Sequence, residues 1–196
     1  MAFITRDYLN NYFNGLPYNR KLELRARPNV LVESQKASYK ATIFLSHSHK
    51  DKDLVEQVAL FLMDQGVYVY VDWKDSSMPE ITSATTANNI KSRIRTCDSF
   101  IVLASNNAID SKWVPWELGF ADAAKGINNV YIFPVADNNG VWRGSEYFDL
   151  YQKVEIGLKA GSSTLEGMVR EPINAYSGIS LKRRLNQNTD SATFYR

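Results

Sequence analysis

A tryptophan and a glutamate four residues apart, Trp113 and Glu117, mark the stretch Ser111-Lys112-Trp113-Val114-Pro115-Trp116-Glu117-Leu118-Gly119-Phe120. On a helix that spacing puts both side chains on one face. Pro115 fits only in a first turn, where its missing N–H has no intrahelical partner to lose. The helix then starts between Ser111 and Val114 and carries Glu117 about one turn in. The apolar run Phe100-Ile101-Val102-Leu103-Ala104 stands just before it. In a parallel sheet the carboxyl ends of such strands are where ligands bind. An acid beside flat rings suits a base or sugar ring that develops positive charge. A Trp packed beneath a surface glutamate has the same spacing, so this pattern alone leaves both readings open.

Two more loops end strands on that rim, Ser46 to Asp51 and Asp72 to Glu80. Both are rich in polar and aromatic residues for segments that merely connect elements. In the second, Trp73 offers a lid-like platform, and Asp72 and Lys74 offer polar contacts; the competing reading is a solvated charged turn. Ser46, His47 and Ser48 are adjacent, but alternation at a strand end sends neighbours to opposite sides, which argues against a Ser-His nucleophile. The chain has neither a Walker-type glycine-rich loop nor GxGxxG, which argues against standard ATP or Rossmann NAD binding. Lys182-Arg183-Arg184 reads as a solvated basic run.

The elements that position these loops follow from periodicity. Ala41-Thr42-Ile43-Phe44-Leu45, Val67 to Val71, Phe100 to Ala104 and Val130 to Val135 are short apolar runs of the buried parallel-strand kind. Between them lie a helix capped by Asp53 and closed by Gly66, one from Thr85 to Thr96, and the Trp113 to Lys125 helix. Such alternation gives βαβ units and a parallel sheet covered on both faces. Upstream, Thr5 caps a short helix that Gly15 and Pro17 stop, and a charged helical piece follows towards Arg27. A short helix and one more strand fit between Gly144 and Val154; from Gly161 on no element is assigned.

Composition removes several classes. With 44% hydrophobic and 22% charged residues among 196, the chain is an ordinary globular domain plus an appendage. Its 23 basic residues against 21 acidic ones leave +2, no basis for a nucleic-acid partner. One cysteine, Cys97, and two histidines, His47 and His49, argue against an intramolecular disulfide, a thiolate cluster and a multi-histidine zinc site, so no metal is expected. Met1 to Asn10 lacks a signal-peptide core, and no apolar run approaches the roughly 18 residues that span a bilayer. The reading is a cytoplasmic protein with no membrane partner.

Ile43 to Asp51 resembles the first sequence box of Toll/interleukin-1 receptor (TIR) domains, and Asp72 to Pro79 resembles their second-box loop. Trp113-Val114-Pro115-Trp116-Glu117 matches the WxxxE motif of enzymatic TIR domains. The likeness runs from about Lys40 to Val154 and is best to short bacterial TIR proteins of antiphage defence, the Thoeris type included. It implies an α/β, flavodoxin-like TIR fold over 39–155, an N-terminal extension (1–38) and a C-terminal extension (156–196). It implies cleavage of the nicotinamide–ribose bond of NAD+, with NAD+ as substrate and no cofactor, giving a linear, cyclic or transferred ADP-ribose product. By motif position Glu117 is the catalytic glutamate and Trp113 its aromatic neighbour; Trp113, Ser46, His47, Asp72, Trp73 and Lys74 are the expected substrate contacts. One carboxylate suffices in that chemistry, because nicotinamide leaves neutral and only the ribosyl cation needs stabilising. The implied partners are further copies of the chain, through TIR–TIR contacts, and a downstream effector that senses the product. A TIR scaffold without turnover is the alternative, and a hydrolase of another N-glycosidic bond is the third reading. Met78-Pro79-Glu80 departs from the proline-glycine frequent in receptor TIR domains, which argues against receptor-style adaptor contacts.

Overall fold

The computed structural model describes residues 3–26, 41–72, 83–159, 161, 163, 165–170 and 178–186. The chain opens with Ile4–Thr5 (β1), Arg6–Gly15 (α1) and Tyr18–Arg25 (α2). Then follow Thr42–Ser46 (β2), Lys52–Asp64 (α3), Tyr68–Tyr70 (β3), Ala84–Thr96 (α4), Ser99–Ala104 (β4), Asn106–Ile109 (α5), Trp113–Lys125 (α6) and Val130–Ala136 (β5). Gln152–Leu158 (β6), Leu165–Arg170 (β7), Gly178–Ser180 (β8) and Leu181–Leu185 (α7) complete it.

Strand order is β3-β2-β4-β5-β6-β7-β8, with β1 beside β5. From β3 to β6 every pairing is parallel. Leaving β1 aside, these five strands run second-first-third-fourth-fifth, the flavodoxin-like order, whose crevice opens between β2 and β4. The antiparallel pair β7 and β8 extends one edge, in a region where the sequence assigns no element. Gly178 belongs there for a steric reason: a Cβ would stand 2.1 Å from Met168 Cε and 2.8 Å from the Val169 carbonyl oxygen.

Side-chain alternation divides the core between the two faces of the sheet. Ile43, Leu45, Ile101, Leu103 and Phe133 pack on one side with Val55, Val58 and Leu62 of α3. Phe44, Phe100, Val102 and Ile132 pack on the other with Ile90 and Ile94 of α4 and Val114 and Leu118 of α6. Each such fully buried aliphatic or aromatic side chain contributes about 1.5–3 kcal/mol from area removed from water. Strands buried on both faces explain why the sequence shows continuous apolar runs there.

The N-terminal segment is woven into this framework. Thr5 caps α1 by accepting from the Tyr8 N–H, as its position predicts. Ile4 pairs with Val135 and Thr5 with Ala136, so β1 lies along the carboxyl-terminal half of β5. Leu9 of α1 is buried in the α3 side of the core. At the far end of α1, Tyr12 donates to Asp64 at 2.5 Å, and Arg20 pairs with the same carboxylate at 2.9 Å.

One helix start differs in detail from expectation, and another falls where expected. Asp53 lies in the first turn of α3, after a 3-10 turn His49–Asp51 whose Lys50 N–H is capped by Ser48. The Asp51 carboxylate caps nothing, because it is engaged elsewhere. In α6, which begins at Trp113 with Pro115 in its first turn, the Ser111 hydroxyl accepts from the N–H groups of Trp113 and Val114.

Candidate active site

β2 ends in Ser46, and the next residues bend over the carboxyl end of the sheet. One turn into α6, Glu117 is buried, and its Oε2 accepts the Ser46 hydroxyl at 2.5 Å. The two meet because β2 lies next to β4 and α6 packs back over both strands. Burial pushes the Glu117 carboxyl up to about 8 from an ordinary 4.5; the Ser46 hydrogen bond opposes that rise, and the charge of Asp72 adds to it. An unpaired acid kept out of water is costly to the fold and is characteristic of a site.

His47 is also buried, and its Nδ1 lies 3.0 Å from the Leu45 carbonyl oxygen. Its Nε2 stands 3.5 Å from Asp72 Oδ1 but makes no hydrogen bond among the described residues. Burial holds the imidazole below its ordinary range, and the Asp72 charge partly offsets this. Asp72, half-buried just beyond β3, thus bears on both His47 and Glu117.

Trp113 is half-buried at the start of α6, edge-on to Trp116 with ring centroids 5.1 Å apart, and packs against the core cluster that holds Val114 and Leu118. Its ring therefore has one side committed to the core. Trp73 and Lys74 lie outside the described residues.

Sequence reasoning missed a second buried carboxylate. Asp51 accepts the Ser105 hydroxyl at 2.5 Å, the Asn107 amide at 2.7 Å and the Arg6 guanidinium at 3.1 Å. It joins the loop after β2 to the loop after β4, across the crevice that the strand order creates, and ties both to α1. Asp51 ends the Ser46 loop and was visible as a carboxylate, but nothing in local spacing points to Arg6. Trp142 was also missed: its Nε1 donates to the Ala104 carbonyl at 2.6 Å and its ring stacks on Phe148.

Among the described residues, no three His, Cys, Asp or Glu side chains converge as a metal site, and no helix is long and apolar enough to cross a membrane. A cavity of about 450 Å³, lined in part by Tyr8, Tyr12, Phe61 and Asp64, lies at the other end of α3, away from Glu117.

The family model "TIR domain" matches residues 43–160, a span that contains Ser46, His47, Asp72, Trp113 and Glu117. The chain belongs to the TIR family. This TIR protein is 30% identical, over 95% of its length and 98% of the other's, to the Bacillus cereus (strain MSX-D12) protein named "Probable 3' cyclic ADP-D-ribose synthase ThsB'". It is 26% identical to TIR2 of Cytobacillus dafuensis, likewise named for cyclic ADP-D-ribose synthase, over 51% of this chain and 31% of that one. Among solved structures, a prokaryotic SEFIR domain is similar with a TM-score of 0.39 and 16% identity, covering 55% of this TIR chain and 76% of that chain.

Proposed function

We propose that this TIR protein cleaves the nicotinamide–ribose bond of NAD+ and closes the ADP-ribose into a cyclic product. The observation that carries the reading is the buried Glu117, held by Ser46 at the carboxyl end of β2. In NAD+ the nicotinamide ring is a cation, and as the bond breaks the positive charge passes to the ribose. The electron pair of the bond goes to the ring nitrogen, so nicotinamide leaves neutral without a general acid. A fixed carboxylate in a dry pocket stabilises the ribosyl cation far better than water does. The substrate's own charge draws Glu117 towards its ionised form, because an opposite charge nearby favours the carboxylate. Ser46, His47, Asp72 and Trp113 are the substrate contacts in this reading, with Trp73 and Lys74 of the following loop. NAD+ is substrate, and no cofactor or metal takes part. Names of the relatives in Bacillus cereus and Cytobacillus dafuensis support the same chemistry.

We further propose that copies associate through TIR–TIR contacts to complete the site, that the protein works in the cytoplasm, and that the cyclic product is read by a separate effector. Purified protein incubated with NAD+ should release nicotinamide and a cyclic ADP-ribose, identified by mass spectrometry. Specific activity should rise with protein concentration. Intact NAD+ at every concentration would sink the enzymatic reading, and a flat profile with a monomeric protein would sink the assembly.

Ser46→Ala tests the link between Ser46 and the acid. The hydroxyl favours the carboxylate by donating to it, so its removal raises the Glu117 pKa further above about 8. Activity of the free enzyme, read as kcat/KM, should rise with pH as Glu117 ionises, and this limb should move to higher pH in Ser46→Ala. An unmoved limb would show that Ser46 does not tune Glu117.

A further inference from the structure

We propose that His47 is the base that takes the proton from the ribose hydroxyl attacking the anomeric carbon, and so directs the ribosyl cation to ring closure rather than to water. This rests on the NAD+ reading above, and it assigns to one side chain the step that reading leaves open.

The tautomer follows from the contacts. A carbonyl oxygen only accepts, so the His47 nitrogen 3.0 Å from the Leu45 oxygen, Nδ1, carries the hydrogen. In the uncharged ring Nε2 then holds a lone pair. Burial favours that uncharged form. Nε2 is buried, has no hydrogen-bond partner among the described residues, and faces the Asp72 carboxylate at 3.5 Å. The carboxylate that faces it only accepts, so it cannot satisfy the Nε2 lone pair. Buried polar atoms are almost always satisfied, so the position calls for a donor from outside the protein. A ribose of the dinucleotide offers hydroxyl groups that are such donors. The place is also right: His47 follows Ser46, the partner of Glu117, and the Asp72 charge reaches both His47 and Glu117.

The step balances. The bond to nicotinamide breaks first, its electron pair going to the ring nitrogen, and the hydroxyl oxygen then forms its bond to the anomeric carbon of the ribosyl cation. The hydroxyl proton moves to Nε2. The imidazolium so formed lies 3.5 Å from the Asp72 carboxylate, which stabilises it until the proton passes to solvent. The sum is NAD+ to cyclic ADP-ribose, nicotinamide and one proton. Water can take the hydroxyl's place at the cation, but a hydroxyl held on Nε2 is already within reach and oriented.

His47→Asn is the informative variant, because its amide can keep the hydrogen bond to the Leu45 oxygen while the Nε2 lone pair is lost. Full-length wild type and variant are incubated with NAD+, and nicotinamide, cyclic and linear ADP-ribose are quantified by mass spectrometry. The cyclic share should fall by roughly tenfold or more, the lower range for loss of a general base. Nicotinamide release should fall only a few-fold, since bond cleavage rests on Glu117. An unchanged cyclic share, or a wild type that makes only linear product, overturns the role of His47 while leaving NAD+ cleavage standing. A folded His47→Asn that releases no nicotinamide overturns it as well, because His47 would then serve the first step. Wild type that releases no nicotinamide overturns the NAD+ reading itself. Should His47→Asn fail to fold, Asp72→Asn keeps the base and removes the anion that stabilises its protonated form. Its cyclic share should fall too, and an unchanged share overturns the proposal.

Discussion

Glu117→Gln should cost this TIR protein roughly 100-fold or more in NAD+ turnover, the scale for losing one transition-state electrostatic contact, while making the fold less sensitive to alkali. Both effects come from the same burial. In the unfolded chain Glu117 ionises near 4.5, and in the folded protein near 8. Between those values the unfolded state loses its proton while the folded state keeps it. Wild-type stability is therefore fully present below pH 4.5, declines as pH rises towards 8, and levels off above it. Over that window the loss is on the order of a few kcal/mol. Glutamine has no proton to lose, but its amide must replace the carboxyl against the Ser46 hydroxyl, and the exchange of buried hydrogen-bond partners costs about 1–3 kcal/mol. Near pH 5 the variant should melt at or below wild type, and by pH 9 it should have gained relative to it. Melting curves at several pH values test this beside the NAD+ assay. Parallel pH trends would sink the buried-acid account, and near-normal turnover in a folded variant would sink the catalytic one.

Asp51→Ala should be among the most destabilising single substitutions, by about 2–4 kcal/mol, because it leaves the buried Ser105 hydroxyl and the Asn107 amide without their acceptor. For a domain of this size that lowers the melting temperature by roughly 5–12 °C. Arg6 is the lesser partner: its side chain is 42% exposed and re-enters water when the carboxylate goes. Arg6→Ala should accordingly cost only about 1 kcal/mol or less. Differential scanning calorimetry of the two variants separates the contributions. Equal, small shifts would mean that Asp51 does not brace the crevice between β2 and β4.

What the sequence made readable follows from where the information is local. Strands β2, β4 and β5 announce themselves as apolar runs because both of their faces are buried, and α6 because Pro115 and the Trp113–Glu117 spacing fix its start. Its glycine, three-residue partner and half-exposed side chains gave β7 no comparable signature, and β1 is two residues long. At the site, the meeting of Ser46 with Glu117 follows from two boxes of the family resemblance placed on adjacent elements. The burial of Glu117, which sets its chemistry, was not legible, because it depends on how α6 packs over the sheet. Nor was the Asp51 cluster, whose partners lie 45 to 56 residues away along the chain. Residues that cap helices and residues that brace loops are the same types, and only the fold distinguishes Asp51 from Asp53.

The pairing of Ile4 with Val135 also sets an order of events during synthesis. Ile4 leaves the ribosome before β2, and its partner strand β5 follows only after β2, β3 and β4. At about 5–20 residues per second the wait is on the order of ten seconds. A nascent chain that ends before Val135 already contains Ser46, Asp51 and Glu117, yet the strand that receives β1 does not exist. Strand β1 is thus made before the other strands of the sheet yet waits for β5 to find its place. The loop that β1 must close is long, and closing it costs entropy that only late, non-local contacts repay. Bracing of the rim through Arg6 comes correspondingly late, since Arg6 directly follows the strand that waits for β5.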